Sequence, residues 1–207
     1  MTNNMIITIA RQYGSGGREI GAKLAQLLEI EYYDKDLITL SAQKTGLSAD
    51  AVSHIDEKAS NSLLYTLAMG SSVFHNTIAG YDIPINDKLF IAQSDVIREL
   101  ADQAPCIIVG RCADYVLRDY PNCMKVFIYA DDAWKMDNIQ ARAKISANEA
   151  RDVMVKTDKR RANYYNYYTG LKWGRIDNYD LALNTSKLDI NQAAELIRAY
   201  ANIRLEK

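Results

Sequence analysis

Ile6-Ile7-Thr8-Ile9-Ala10-Arg11-Gln12-Tyr13-Gly14-Ser15-Gly16-Gly17-Arg18-Glu19-Ile20-Gly21 is the stretch whose reading decides the fold. A β-branched apolar run leads into a cluster of Gly and Ser. Arg18 to Leu28 then carries apolar residues at helical spacing. The unbroken apolar character predicts a strand over Met5–Ala10, buried on both faces, and a helix over Arg18–Leu28. Strand, glycine turn and helix together aim backbone N–H groups and the positive end of a helix dipole at a phosphate. The glycines permit positive φ and close approach of a ligand to the backbone.

The spacing departs from the phosphate-loop pattern G-x-x-x-x-G-K-[ST]. With Gly16 as the last glycine, Gly17 stands at the lysine position and Arg18 at the Ser/Thr position. Shifted by one, Arg18 takes the lysine position and Glu19 the hydroxyl position. Neither register supplies the hydroxyl that holds Mg²⁺. Arg18 is suited to phosphate, because guanidinium forks onto phosphate oxygens. A βα turn with no ligand accounts for the same residues.

The chain has 207 residues, enough for one α/β domain with a full core, and a single domain over 1–207 is expected. Its net charge of −1 argues against a general nucleic-acid binder. No apolar run approaches a membrane span, and the start of the chain lacks a signal-peptide pattern. Cys106, Cys112 and Cys123 have no metal-like spacing and read as reduced thiols, which suggests a cytoplasmic protein. Fourteen tyrosines against three phenylalanines is unusual, and Tyr164, Tyr165, Tyr167 and Tyr168 are bunched.

Further along, Ile30–Tyr33 predicts a short second strand. Asp34, at its carboxyl end, is placed either to cap a following helix or to meet a ligand at the rim of an open sheet. Gly46 ends that helix and Ser48 begins another through about Lys58. The region 60–86 reads as a short helix and a loop, either covering the substrate or a plain surface excursion. Asp87 is expected to cap an amphipathic helix through Ala101, with Leu89, Phe90, Val96, Ile97 and Leu100 as its apolar positions. Pro105–Val109 predicts a buried strand, followed at once by Gly110-Arg111. A cation there faces the same rim as the glycine turn, which favours an anion-binding role for Arg111.

Lys125–Ala130 predicts the next strand, with Asp131 or Asp132 capping a helix through about Lys144. Ser146-Ala147-Asn148-Glu149 is a capping box opening another helix. That helix carries Lys156-Thr157-Asp158-Lys159-Arg160-Arg161, either a solvated face or a lid that brings arginines onto a transferring phosphate. Tyr179–Leu183 predicts the last strand. Asp189 opens a C-terminal helix with Ala193, Leu196, Ile197 and Tyr200 on its buried side. Helix-linked strands of this kind imply a parallel sheet of about five strands with helices on both faces.

With these pieces in order, the chain resembles the cytidylate kinase-like family, within the P-loop nucleoside monophosphate kinases. The resemblance is carried by Ile9–Ile20, Tyr32-Tyr33-Asp34-Lys35, Val109–Tyr115, Asp158–Tyr165 and Tyr179–Ser186. It implies a three-layer P-loop kinase fold with a helical lid over about 146–170. It implies that Gly14, Ser15, Gly16, Gly17 and Arg18 cradle ATP phosphates, with Thr185 and Ser186 close to the ATP base. Asp34 would lie near the monophosphate site and Arg111 would face the acceptor nucleotide. Asp158 and Arg161 match a lid Asp-x-x-Arg, with Asp158 near the cytosine and Arg161 near the phosphates. The chain departs from the family at the missing lysine, at Cys112, where cytidylate kinases carry Asp, and at Thr39-Leu40, where they carry Tyr-Arg.

The expected activity is ATP-dependent phosphoryl transfer with Mg²⁺ to a small acceptor, a nucleoside monophosphate foremost. Arg18, Arg111, Arg160 and Arg161 would share the charge. The alternatives are a same-fold kinase with a non-nucleotide acceptor and a nucleotide-sensing module without turnover. A homodimer through the tyrosine-rich segment is a further expectation.

Overall fold

The computed structural model describes residues 5–34 and 85–205. The chain divides into two compact units, Met1–Asp34 with Ile97–Lys207, and Lys35–Val96. The helices expected between Asp34 and Lys58, and the segment 60–84, lie outside the described residues.

The first unit is built on a five-stranded, all-parallel sheet. Its strands are β1 (Ile6–Arg11), β2 (Glu31–Tyr33), β3 (Cys106–Val109), β4 (Cys123–Tyr129) and β5 (Leu181–Asn184), ordered β2-β3-β1-β4-β5. β1 takes the centre because its first five residues can all be buried: Ile6, Ile7, Ile9 and Ala10 are, and Thr8 with them. Alternation along the strands divides the core into two faces. Ile7, Ile9, Ile107, Val109, Met124, Val126 and Ile128 share one cluster with Ile20 and Leu24 of α1 (Gly17–Leu28) and with a C-terminal helix. Ile6, Ile108 and Phe127, at the alternate positions, are buried as well. The segment that follows β3 packs near them, so helices cover both faces as expected.

The described part of the second unit is the opening of α2 (Ile85–Gln103), a helix that continues into the first. It begins two residues before Asp87, so Asp87 lies inside the first turn rather than at the cap. There its carboxylate still meets the positive end of the helix dipole. Leu89, Val96 and Ile97 are buried as predicted; Phe90 and Leu100 are half-buried.

After β3 comes the short helix α3 (Ala113–Val116), after β4 the helix α4 (Asp132–Ala143), and then α5 (Ala147–Thr169). Asp131 stands at the N-cap of α4, but its side chain caps nothing; its Oδ1 accepts from Asn184 Nδ2 at 3.3 Å. The capping box of α5 forms as read: Ser146 Oγ accepts from Glu149 N–H and the Glu149 carboxylate accepts from Ser146 N–H. β5 starts later than expected because Asp180 is held outside the strand. Its N–H donates to Lys125 O at 2.8 Å and its carboxylate accepts from Lys125 N–H at 2.7 Å. Asp189 and Gln192 exchange bonds at the start of α6 (Ile190–Leu205). Leu196, expected on the buried side of α6, is 49% exposed; Ala193, Ala194, Ile197 and Ala201 form that side. The small residues let α6 come close to α1 and leave the larger Leu196 outside.

A second link crosses the face of the sheet opposite α1 and α6. Asp114 of α3 is buried and accepts a hydrogen bond from the Tyr165 hydroxyl of α5 at 2.7 Å. Phe127 of β4 packs against Tyr179 and edge-on against Trp173. The C-terminal half of α5 and the chain after it are thereby anchored on the sheet. This uses one member of the tyrosine cluster; Tyr167 is 60% exposed.

Candidate phosphate-binding site

The loop after β1 lies at the carboxyl ends of the strands, the rim where parallel α/β sheets take their ligands. Gly14 (φ 83°) and Gly16 (φ 77°) are left-handed, a region that L side chains avoid. At Gly14 a Cβ would also sit 2.9 Å from the Lys135 carbonyl oxygen. Gly16 is the N-cap of α1 and provides no side chain to the helix. The first-turn N–H groups of α1 are therefore not capped by the residue before them, the arrangement that suits an anion.

The loop is held from beneath and from both sides. The buried Ser15 hydroxyl lies 2.9 Å from Gln12 O and 3.2 Å from Ile128 O. The buried Thr185 hydroxyl lies 2.9 Å from Ser15 O and 3.2 Å from Tyr129 O. From α4, Asn138 Nδ2 donates to Gly14 O at 3.2 Å. Lys135, 4% exposed, donates to Gln12 Oε1 at 3.1 Å and pairs with Asp132 at 2.9 Å.

From α5, Asp158 Oδ1 accepts the Tyr13 N–H at 2.7 Å and Arg161 Nη1 donates to Arg11 O at 2.9 Å. Arg161 also lies 3.6 Å from Asp158 Oδ1 and 5.7 Å from the Tyr13 ring centre. Burial pushes the Asp158 carboxyl above its ordinary value, although the Tyr13 N–H and Arg161 oppose it. Burial likewise lowers the Arg161 guanidinium, with Asp158 opposing.

At the rim, Arg18, Arg111, Arg161 and Asp34 come together around Arg11. Asp34 forms an ion pair with Arg18 and lies 3.5 Å from Arg11 Nη2. Burial first, and then the neighbouring cations Arg161, Arg111 and Arg18, lower the Arg11 guanidinium to about 9 against the opposing pull of Asp34. The cluster thus carries a positive field into a desolvated place, where an anion is favoured. Gly110, Arg111 and Cys112 follow β3 with φ of 82°, 56° and 56°. Left-handed backbone costs a non-glycine residue about 1–2 kcal/mol, and such strain gathers at functional sites.

The predicted residues divide as follows. Gly14, Gly16 and Gly17 form the loop and the start of α1. The Ser15 hydroxyl turns inward onto carbonyls, away from any ligand on the rim. Arg18 is 45% exposed and turns to Asp34 rather than lying over the loop. Arg111 is brought to Arg11, and Asp158 and Arg161 meet the loop itself. Arg160 adjoins Arg161 and acts on its charge. The Thr185 hydroxyl is spent on the loop. Ser186 Oγ accepts the Asp131 N–H at 2.7 Å and lies 2.6 Å from Asn184 Oδ1.

Sequence reading assigned no role to Arg11, Gln12 or Lys135. Arg11 was signalled by a cation ending an apolar central strand; nothing local in the sequence marks Lys135. Burial raises the Cys112 thiol well above its ordinary value, so no reactive thiolate stands beside Arg111. Among the described residues no group of three or more His, Cys, Asp and Glu could hold a metal. No helix among them is long and apolar enough to cross a membrane.

Comparison with known proteins gives the family and the fold. A family model described as the cytidylate kinase-like family matches residues 6–187. A cytidylate kinase of Saccharolobus islandicus is 24% identical over 200 residues, covering 96% of this chain and 92% of that protein. The crystal structure of an uncharacterized protein from Eubacterium ventriosum is similar with a TM-score of 0.70 at 28% identity, covering 96% of this chain and 98% of that one. Shikimate kinase from Bacteroides thetaiotaomicron shares the fold, with a TM-score of 0.53 at 11% identity over 96% of this chain and 98% of that one.

Proposed function

The chain belongs to the cytidylate kinase-like family, and on that premise we propose that it is an ATP-dependent phosphotransferase acting on a nucleoside monophosphate, CMP or dCMP foremost. The observation that carries this reading is the gathering of Arg18, Arg111 and Arg161 around Arg11, with Asp34 paired to Arg11 and Arg18, beside a glycine loop that opens a helix.

The loop N–H groups and the first turn of α1 hold the donor phosphates. Arg18 and Arg111 face the acceptor phosphate, and Asp34 orients Arg18. Arg160 and Arg161 on the lid segment, about 146–170, bring charge onto the transferring group and exclude water. Asp158 sets the height of that helix above the loop through the Tyr13 N–H. Thr185 and Ser186 stand near the ATP base and, with their hydroxyls engaged, offer it backbone groups.

Bound Mg²⁺ supplies charge neutralisation at the phosphates. The Ser15 hydroxyl is turned inward and Arg18 stands at the Ser/Thr position, so this loop would offer the ion no side-chain hydroxyl, and Mg²⁺ would enter with the nucleotide. Transfer of this kind needs positioning and charge, and no protein nucleophile.

The test is ADP release from ATP and Mg²⁺ with CMP, dCMP, UMP or AMP supplied singly. Stimulation by CMP or dCMP is expected. Stimulation only by non-nucleotide acceptors would move the substrate class. The glycine at position 17 favours one second reading, a nucleotide sensor. Tight ATP binding with no acceptor-stimulated ADP release would establish it.

A further inference from the structure

In the pattern G-x-x-x-x-G-K the first glycine and the lysine are six residues apart. With Gly16 as the last glycine, those positions are Arg11 and Gly17. The chain therefore has a cation where the pattern has glycine, and glycine where it has the cation. The structure shows why the two changes belong together. A Cβ on Gly17 would lie 2.6 Å from Arg11 Cβ and 2.9 Å from Arg11 Cγ. Positions 11 and 17 share one space, and only one of them can fill it. Here the Arg11 side chain does, and it passes on to the rim. Its Nη1 occupies the place a Cβ on Gly110 would need, so Arg11 accounts for a second glycine at the site.

We propose that Arg11 is a catalytic residue of this phosphotransferase, holding the transferring phosphate in place of the absent lysine, so that the motif keeps its charge with the two positions exchanged. This rests on the phosphotransfer reading above. Arg11 is better placed than Arg18: its side chain is 16% exposed against 45%, and it runs beside the start of α1. Its guanidinium shares Asp34 with Arg18, so one carboxylate faces two cations. The planar fork can bind two phosphate oxygens at once. In the step it serves, an acceptor oxygen forms a bond to the γ-phosphorus of ATP as the bond to the β,γ-bridging oxygen breaks. That oxygen leaves on ADP with the bonding electrons. An ionised monophosphate acceptor has no proton to lose.

The experiment compares the full chain with Arg11→Gly, Gly17→Lys and the exchange variant Arg11→Gly/Gly17→Lys. The readouts are MgATP affinity by calorimetry, acceptor-stimulated ADP release, and a thermal melt to confirm folding. Arg11→Gly is expected to weaken MgATP binding tenfold or more and to lower turnover about a hundredfold, the usual cost of one lost charge donor. Gly17→Lys alone is expected to fail as badly, since both side chains claim one space. The exchange variant is expected to regain tenfold or more over Arg11→Gly, a rescue that a purely structural role for Arg11 would not produce.

Arg11→Gly with the MgATP affinity and turnover of the parent overturns the proposal, as does a folded exchange variant no better than Arg11→Gly. If Arg11→Gly does not fold, Arg11→Met keeps the packed stem and removes the charge. The same losses are expected of it, and parental behaviour overturns the proposal. A parent protein that binds no MgATP refutes the phosphotransfer reading itself. A parent that binds MgATP without turnover leaves the affinity arm to decide on Arg11.

Discussion

Replacing Arg161 with alanine separates chemistry from scaffolding at this site. The guanidinium donates to Arg11 O at 2.9 Å and sits 3.6 Å from Asp158 Oδ1, with the side chain 26% exposed. A hydrogen bond from a charged donor contributes about 1.5–3 kcal/mol, and partial exposure places this one at the lower end. Removing a cation also relieves repulsion on Arg11, which Arg161 now disfavours. The net loss of stability is therefore about 1 kcal/mol, a fall in melting temperature of roughly 2–4 °C for a chain of this size. On the chemistry the effect is larger. One positioned donor to a developing charge contributes about 2.7–4 kcal/mol, so turnover should fall roughly 10²–10³-fold. Arg161→Lys keeps the charge but loses the fork, and should lie between. The assay is ADP release at saturating ATP with whichever acceptor supports turnover, run beside a thermal melt. Turnover within about threefold of the parent, in a folded protein, would refute the role of Arg161 in phosphoryl transfer.

Three other outcomes are expected. Gly17→Ala places a Cβ 2.6 Å from Arg11 Cβ, where neither atom is at the end of a flexible chain. The overpacking cost of about 1–3 kcal/mol is only partly offset by the roughly 1 kcal/mol better helix propensity of alanine, so the melting temperature should fall. An unchanged melt would mean that Arg11 does not fill that space. Tyr165→Phe removes the donor to the buried Asp114 carboxylate and should cost about 1–3 kcal/mol in urea unfolding at pH 7. Asp114→Asn should flatten the pH profile of stability. Burial raises the Asp114 carboxyl above its ordinary 3.8, so the folded state holds that proton more tightly than the unfolded state. Its favourable contribution is present below the ordinary value and is lost as pH rises through the raised one. Asparagine keeps an acceptor for Tyr165 and abolishes that loss. A urea midpoint that falls as steeply with rising pH in Asp114→Asn as in the parent would exclude Asp114 as its source.

The architecture was legible because its rules are local. Strands buried on both faces must be apolar at every position, and Ile6–Ala10, Cys106–Val109 and Cys123–Ile128 are nearly so. Ser146 and Glu149 announce the start of α5 because a capping box is made within one turn. Boundaries shifted where a distant residue intervened. Asp180 pairs with the backbone of Lys125, 55 residues away, and so delays β5. Leu196 was placed by periodicity on the buried side of α6, whereas the close approach of α6 to α1 admits alanines and excludes it.

The site was legible in outline and not in its wiring. Glycines at positions 14, 16 and 17 announced a tight strand-to-helix turn, because positive φ at Gly14 and Gly16 and close approach at Gly17 favour glycine. Arg111 could be placed at the rim because it follows a buried strand at once, whereas the family resemblance puts Arg161 near the phosphates. Which atom each arginine meets is a matter of packing. The Asp158 carboxylate reaches the Tyr13 N–H across 145 residues of sequence, and Arg161 reaches the Arg11 carbonyl across 150. Arg18 turns away from the loop to Asp34, while the Arg11 side chain fills the space beside Gly17. By itself, then, the sequence determined the parallel sheet, the phosphate-type turn and the supply of cations, since hydrophobic period and backbone permission are properties of neighbouring residues. Only the tertiary structure decided which cation stands at the loop, because positions 11 and 17 compete for one volume that exists only once β1 and α1 have packed together.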